Sequence, residues 1–294
     1  MKKIIKRSVV LILLFFCVFW GFACKDDLAY LSATKRRIEI DENITTQSIM
    51  TFNVRCISGA DKNEYSWKNR ASLICDLLQE NMPSIICMQE NQKEQYAFFK
   101  RFLEGYDSVA TYRDSGTLSE CLPVFYRTDM YELIDTQTFW LSDTPDKMSN
   151  TWDSEYFRIC TFVILRNKNT DKEFIVGNVH IDYKSRETQI KSVRLIYERL
   201  SAFNLPTVVM GDFNCDSDSK TVAFAKQYFV DVGQDFEDEN KGTFNNFKNE
   251  HPTKKTDYIM QLPGSFNVRN YKVIDKKYND HYASDHFPVY AEID

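Results

Sequence analysis

Val208–Ser219 reads VVMGDFNCDSDS: a short apolar run, a glycine, then Asp212, Asn214, Asp216 and Asp218 on alternate positions. Val208, Val209 and Met210 before turn-forming residues have the pattern of a strand buried on both faces. Gly211 allows close backbone approach immediately before the first acid. The oxygens that follow can hold a cation, activate a water or face solvent. Asp216 and Asp218 precede a helix expected to begin near Ser219, where capping and compensation of the helix dipole account for them. Asp212 and Asn214, at the strand end itself, need another explanation.

The same alternation of elements extends in both directions. RETQIKSVRLIYERLSAF, upstream, carries Ile190, Val193, Ile196 and Leu200 in helical phase. Further upstream, SIMTFNVR reads as a strand, and SWKNRASLICDLLQEN as a helix with Trp67, Ala71, Ile74 and Leu78 in phase. PSIICMQE is a second doubly buried strand. CLPVFYR, YELIDTQTFWLS, RICTFVILRN and EFIVGNVHID make the middle strand-rich, and TDYIMQL, FNVRNYKVI and HFPVYAEI close the chain. This mixture predicts one domain over residues 47–294, with packed sheets covered by helices.

The 294 residues, 43% hydrophobic and 14% aromatic, are ample for a buried core. Residues 1–23 place Lys2, Lys3, Lys6 and Arg7 before an apolar stretch ending in small residues, the layout of a secretory signal. Cys24 directly after Ala23 fits a lipidated cysteine. Soluble export and a retained anchor are the alternatives, and all three place the domain outside the cytoplasm, as a cell-surface or periplasmic lipoprotein or a secreted protein. Residues 24–46 are charged and weakly patterned, as expected of a tether. Without the four basic residues of the signal, 33 Lys and Arg stand against 42 Asp and Glu, a net charge of −9. So acidic a chain is poorly suited to broad capture of nucleic acid. Beyond the signal region, Cys56, Cys75, Cys87, Cys121, Cys160 and Cys215 form no C-x-x-C and read mainly as small buried hydrophobes, with one or two disulfides as the alternative.

The polar residues that end apolar strands carry the chemistry. Asn53, Glu90, His180 with Asp182, and Asp212 with Asn214 each close a strand, while Asp285 and His286 precede the last one. One carboxylate at a strand end is ordinary, but this recurrence of only Asn, Asp, Glu and His is not. Amide and carboxylate oxygens suit a hard divalent cation, and the lack of a Cys/His zinc spacing favours Mg²⁺ or Mn²⁺. Histidines beside carboxylates supply proton transfer or phosphate hydrogen bonds. Neither a Gly-x-Ser-x-Gly elbow nor a Gly-rich phosphate loop is present. Metal-assisted attack of water on a phosphate ester fits these parts.

MTFNVR, CMQE, VFYR, GNVHID, MGDFN, KTDYIM and SDHFPV, in that order, resemble the endonuclease/exonuclease/phosphatase superfamily from Ser48 to Asp294, and FWLSDTPDKMSNTWD resembles its exported bacterial branch. The resemblance implies a deoxyribonuclease I-like four-layer α/β sandwich: two packed mixed β-sheets flanked by helices, with the site at one edge. It implies Glu90 as principal metal ligand, with Asn53 beside it and Asp285 completing the shell. Asp212 would activate the water and Asn214 hold a phosphate oxygen. His286 would bind phosphate or take a proton, oriented by Asp257, with His180 opposite and paired to Glu120. Tyr126 and Arg158 are further phosphate contacts. Ser119 and Pro123 depart from the family pattern around Glu120.

The reading is therefore an exported, Mg²⁺-dependent phosphoesterase, a monomer, held at the membrane by an N-terminal lipid where Cys24 is modified. Its substrate is a phosphate ester of nucleic acid, phospholipid or sugar. The alternative is a surface protein that kept the fold, lost catalysis and binds a phosphorylated glycan or lipid.

Overall fold

The computed structural model describes residues 27–294, so the signal segment and Cys24 lie outside it. The apolar runs become strands at the expected places: β1 (Ser48–Asn53), β2 (Ile85–Gln89), a short β3 (Asn91–Gln92), β4 (Tyr106–Val109), a short β5 (Glu120–Cys121) and β6 (Val124–Arg127). Pro123 falls in the break between β5 and β6, where its missing N–H costs no ladder bond. Next come β7 (Tyr131–Trp140), β8 (Ile159–Asn167), β9 (Glu173–His180), β10 (Thr207–Asp212), β11 (Val230–Asp231), β12 (Asp257–Gln261), β13 (Val268–Val273) and β14 (Val289–Ile293). The helices are α1 over residues 27–33, α2 (Trp67–Asn81), α3 (Lys93–Phe102), α4 (Arg186–Ser201) and α5 (Lys220–Ala225).

Two mixed six-stranded sheets form, in the orders β13-β14-β1-β2-β6-β4 and β11-β12-β10-β9-β8-β7. Their inner faces meet through Ile49, Ile85, Val124, Val163, Val176, Val208 and Ile259. Helices α2 and α3 cover the outer face of the first sheet, and α4 and α5 that of the second. These are four layers with three apolar seams, the expected sandwich.

Topology places the site. Each sheet has one central parallel pair, β1 with β2 and β9 with β10. The parallel pairs bring Asn53 and Glu90 together in one sheet and His180 and Asp212 in the other. Asp212 is in register with His180 on one side and with Asp257, the first residue of antiparallel β12, on the other. Below them a buried polar tie joins the sheets: Gln89 Nε2 donates to Asn178 Oδ1 at 2.8 Å, and Asn178 Nδ2 donates to the Met88 and Pro123 carbonyls.

Gly211 is held by close approach. A Cβ there would lie 1.9 Å from the Val179 carbonyl oxygen of the adjacent parallel strand. Gly211→Ala is expected to cost about 3 kcal/mol, because backbone rather than a movable side chain must give way. A urea midpoint equal to that of the parent would refute this.

One expectation is corrected, and one element was missed. Residues 27–46 are not a free tether: Ala33 and Ile38 are buried against the first sheet's helices, and Tyr30 stacks on Phe98 with ring centroids 6.1 Å apart. Ile38 N–H bonds the Phe102 carbonyl, and buried Arg127 takes the Asp41 and Ile44 carbonyls. The charged composition hid a few well-spaced apolar anchors. Helix α3 was not anticipated at all, although Gln92 and Gln95 make a capping box and Phe98, Phe99 and Phe102 face the core. The six cysteines among the described residues are all free thiols, and all but Cys56 are buried.

Candidate active site

One pocket of about 390 Å³ opens at the strand ends, lined by Glu90, Asp285, Asp212, Asn214, His180 and His286, with Glu120, Arg55, Arg113 and Arg158 among its other walls. Asn53 is buried beneath it. Its Nδ2 donates to Glu90 Oε1 and to Asp212 Oδ2, each at 3.1 Å, across the gap between the sheets. Its Oδ1 accepts the Arg55 N–H at 3.0 Å. Two acids need donors, and the amide nitrogen supplies them, so Asn53 joins a cation site only with its amide turned over.

Asp212 sits at the convergence. Its Oδ1 accepts the Asn214 N–H at 2.8 Å, a turn closed by Asn214 in the left-handed region. His180 Nε2 and His286 Nε2 stand 3.6 and 3.9 Å from its Oδ2, too far for hydrogen bonds and open toward the pocket. Burial, then the Asp257 charge, pushes the Asp212 carboxyl up, making it a better proton acceptor than an exposed aspartate.

His286 Nδ1 lies 2.8 Å from Asp257 Oδ2, which also accepts from the Thr243 hydroxyl at 2.6 Å. Burial opposes a charged imidazole, but the Asp257 and Asp212 carboxylates outweigh it and hold His286 well above the usual value. Asp257 thereby takes the Nδ1–H of the imidazolium and leaves its Nε2–H for substrate. Phe244 covers the ring, 5.0 Å between centroids. Asp212, Asp257 and His286 bring ligand atoms within 4.8 Å of one another, a spacing that can hold a metal. The hydrogen bond inside this group and the raised His286 pKa make proton handling its better use.

Glu90 and Asp285 fit a cation better. Glu90 is held at φ 62°, and its Oε2 accepts the Cys56 N–H at 2.9 Å. Burial, and then repulsion from Glu90, raises the Asp285 carboxyl despite His286 and Arg55 nearby. Part-buried Glu90 and buried Asp285 form an oxygen donor set suited to a hard divalent ion.

The remaining predicted residues separate. Arg158 lines the pocket. Glu120 also lines it but does not pair with His180. Arg113 takes Glu120 at 2.7 and 3.1 Å instead, because backbone pairing sets the two side by side and a guanidinium outcompetes an imidazole. Burial, then the Arg158 and Arg113 charges, pushes His180 well below its usual pKa, so it stands as a neutral ring. Tyr126 is not in the site. Strand β6 runs antiparallel to β2, so Tyr126 pairs with Ile85 at the far end and its hydroxyl bonds Asp107. Asp182 is structural, accepting the Glu155, Lys184 and Ser185 N–H groups. Asp216 accepts the Ser217 and Lys255 N–H groups, while Ser219 itself caps α5.

Arg113, Arg55 and Thr243 were missed. Arg55 stands two residues after Asn53 and takes Asp61 bidentately at 3.0 and 3.2 Å. Its place beside a strand-end motif was a usable signal, whereas the loop position of Arg113 offered none.

A two-sheet sandwich that delivers this set of acids, amides and imidazoles to one edge is a deoxyribonuclease I-like fold. A model of the Endonuclease/Exonuclease/phosphatase family matches residues 50–286, and the chain belongs to that family, whose members hydrolyse phosphoric esters. The structure of a Bacteroides thetaiotaomicron mannosyl-6-phosphatase is similar at 30% identity and a TM-score of 0.78, covering 85% of this chain and 100% of that one. A conserved Enterococcus faecalis protein of unknown function is similar at 27% identity and a TM-score of 0.76, covering 84% and 99%. An uncharacterised protein of Acanthamoeba polyphaga mimivirus is 30% identical over 246 residues, 76% of this chain and 91% of its own.

Proposed function

We propose that this chain is a Mg²⁺- or Mn²⁺-dependent phosphoesterase in which water attacks phosphorus and the alcohol leaves. The observation that carries this reading is Asn53 bridging Glu90 and Asp212 in the pocket that also holds the His286–Asp257 pair. A protein that merely bound phosphate would have no use for an acid of raised pKa facing two imidazoles. Bound by Glu90 and Asp285, the cation would polarise a phosphoryl oxygen and lower the pKa of water. Asp212 accepts the water's proton and aligns its oxygen; His286 donates to a phosphoryl oxygen from Nε2 while Asp257 holds its other face. Neutral His180 contacts the phosphate from the opposite side.

The mannosyl-6-phosphatase relative supports placing phosphorylated sugars beside DNA, RNA and sphingomyelin in a screen of the purified protein with Mg²⁺. Turnover of at least one class, lost on Asp212→Asn, is the expected result. Tight phosphate-ester binding without turnover would instead establish a binding protein.

Export and membrane attachment through a lipid at Cys24 belong to the same proposal. Among the described residues no helix is long and apolar enough to cross a membrane. Cys24→Ser is therefore expected to move the protein from the membrane to the soluble fraction. Wild-type protein already recovered soluble, with Cys24 unmodified or removed, would rule out lipidation.

A further inference from the structure

Of the exposed large apolar side chains among the described residues, Leu118, Leu28 and Leu31 show the most surface: 72%, 65% and 54%. All three gather at one end of α3. Leu28 and Leu31, three apart on α1, share a face of that helix, while Tyr30 and Ala33 pack inward. The Tyr30 hydroxyl donates to Glu94 in the first turn of α3 at 2.7 Å and accepts from Trp67 Nε1, at the start of α2, at 3.2 Å. The Leu118 carbonyl accepts from Nε2 of Gln92, the residue that caps α3, at 3.3 Å. Arg113 and Glu120, at the ends of the loop that carries Leu118, line the reaction pocket. The three leucines therefore stand beside the pocket, on the site edge of the sandwich.

Positive charge gathers along the same helix. The N-terminal segment follows α3 from Tyr30 at Glu94 to Ile38, whose N–H bonds the Phe102 carbonyl at 2.8 Å. Residues 27–38 and 93–104 together hold six basic residues against three acidic ones, a surplus of +3 on a chain that is −9 without its signal. Arg36 pairs with Asp76 and Arg37 with Glu104. Lys35, Lys93, Lys100 and Arg101 are exposed and have no carboxylate partner. Leucines left in water beside unpaired cations match a surface made of hydrocarbon and anionic head groups.

We propose that α1, α3 and the Leu118 loop form a docking face for an anionic lipid bilayer. The leucines enter the interface, and Lys35, Lys93, Lys100 and Arg101 meet the head-group phosphates. The inference rests on the export reading, which puts the chain at a membrane surface, and not on the lipid itself. From Cys24 to Asp27 the chain reaches at most about 11 Å, so a lipid at Cys24 would hold α1 against the bilayer. Stable attachment takes two signals, so the face alone binds reversibly and leaves the Cys24→Ser protein in the soluble fraction. Docked this way, the pocket opens beside the lipid surface.

The test sediments the full-length protein with vesicles of phosphatidylcholine, alone or mixed with phosphatidylglycerol. Cys24→Ser is used, or wild type where wild type is itself soluble. Binding to the mixed vesicles should exceed binding to phosphatidylcholine by at least about tenfold and fall steeply with salt. Leu28→Ser with Leu31→Ser should weaken it by about tenfold or more, and Lys93→Glu with Arg101→Glu should remove the preference for phosphatidylglycerol. Both double variants should keep the parent Tm, because exposed side chains hold little of the core. Lys172→Glu, an exposed charge between β8 and β9, should change binding by less than about twofold.

Equal binding to both vesicles, binding to neither, or a leucine variant that binds like its parent would overturn the proposal. A concentration-dependent dimer that the leucine substitutions abolish, without vesicle binding, would assign the face to a second copy of the chain instead. Soluble wild type with Cys24 unmodified, yet bound to the mixed vesicles, removes the lipid and keeps the face. Lipidated wild type whose Cys24→Ser form ignores both vesicles keeps the lipid and removes the face. Where both forms stay with membranes, an environment-sensitive fluorophore on Leu31→Cys reads the same contact: a blue shift in mixed vesicles supports the face, and no shift refutes it.

Discussion

Asp212→Asn is expected to lower kcat by about 10²–10⁴-fold while KM changes little. The substitution keeps shape and removes charge and basicity. The side chain ends β10 beside Gly211, whose backbone touches β9, and both oxygens are held: Oδ1 by the Asn214 N–H, Oδ2 by Asn53. The acid is thus positioned before substrate arrives, and the loss should fall on the chemical step rather than on binding. His286→Ala should cost a comparable factor, since Nε2 faces the same space 3.9 Å from Asp212 Oδ2. The double variant should lose far less than the product of the two, because both groups serve one proton-transfer and phosphate-stabilising unit. Single-turnover rates for the four proteins at saturating Mg²⁺ decide this. Near-full activity in Asp212→Asn would make the loop structural.

Removal of divalent cations should abolish hydrolysis, with Mg²⁺ or Mn²⁺ restoring it. Glu90→Gln should raise the Mg²⁺ concentration for half-maximal rate by tenfold or more. The warrant is the donor set: Glu90 and Asp285 are carboxylates lining one pocket, and the Glu90 charge makes ionisation of Asp285 harder. Lys and Arg do not cancel this, because Arg55 is engaged by Asp61 and reaches Asp285 only at 3.8 Å. A cation bound by the folded state should also raise Tm as its concentration rises, and this rise should shrink in Glu90→Gln. Full activity after exhaustive chelation would refute the assignment.

Legibility in the sequence followed the range of the interaction. The doubly buried strands announced themselves as continuous apolar runs, and the site residues as the polar groups ending them: Glu90 after IICMQ, Asp212 after VVMG. Tyr126 was misread because VFYR ends a strand that points the other way, and strand direction within a sheet is not a local property. Glu120 was matched to the wrong partner for a related reason. Its neighbour is set by the pairing of residues 113 and 120, in a loop with no periodic signal.

The chain by itself therefore determined its alternation of strands and helices and the set of acids, amides and imidazoles that end its strands. These depend on residue type and on periods of two and 3.6 residues. Only the tertiary structure decided which of those groups meet. Asn53 reaches Asp212 across 159 positions of sequence, residues 27–46 pack as part of the domain, and Arg158 is buried with nothing to bond. Partner choice and desolvation arise when two sheets close on each other, and no local pattern encodes the surface that a side chain will face.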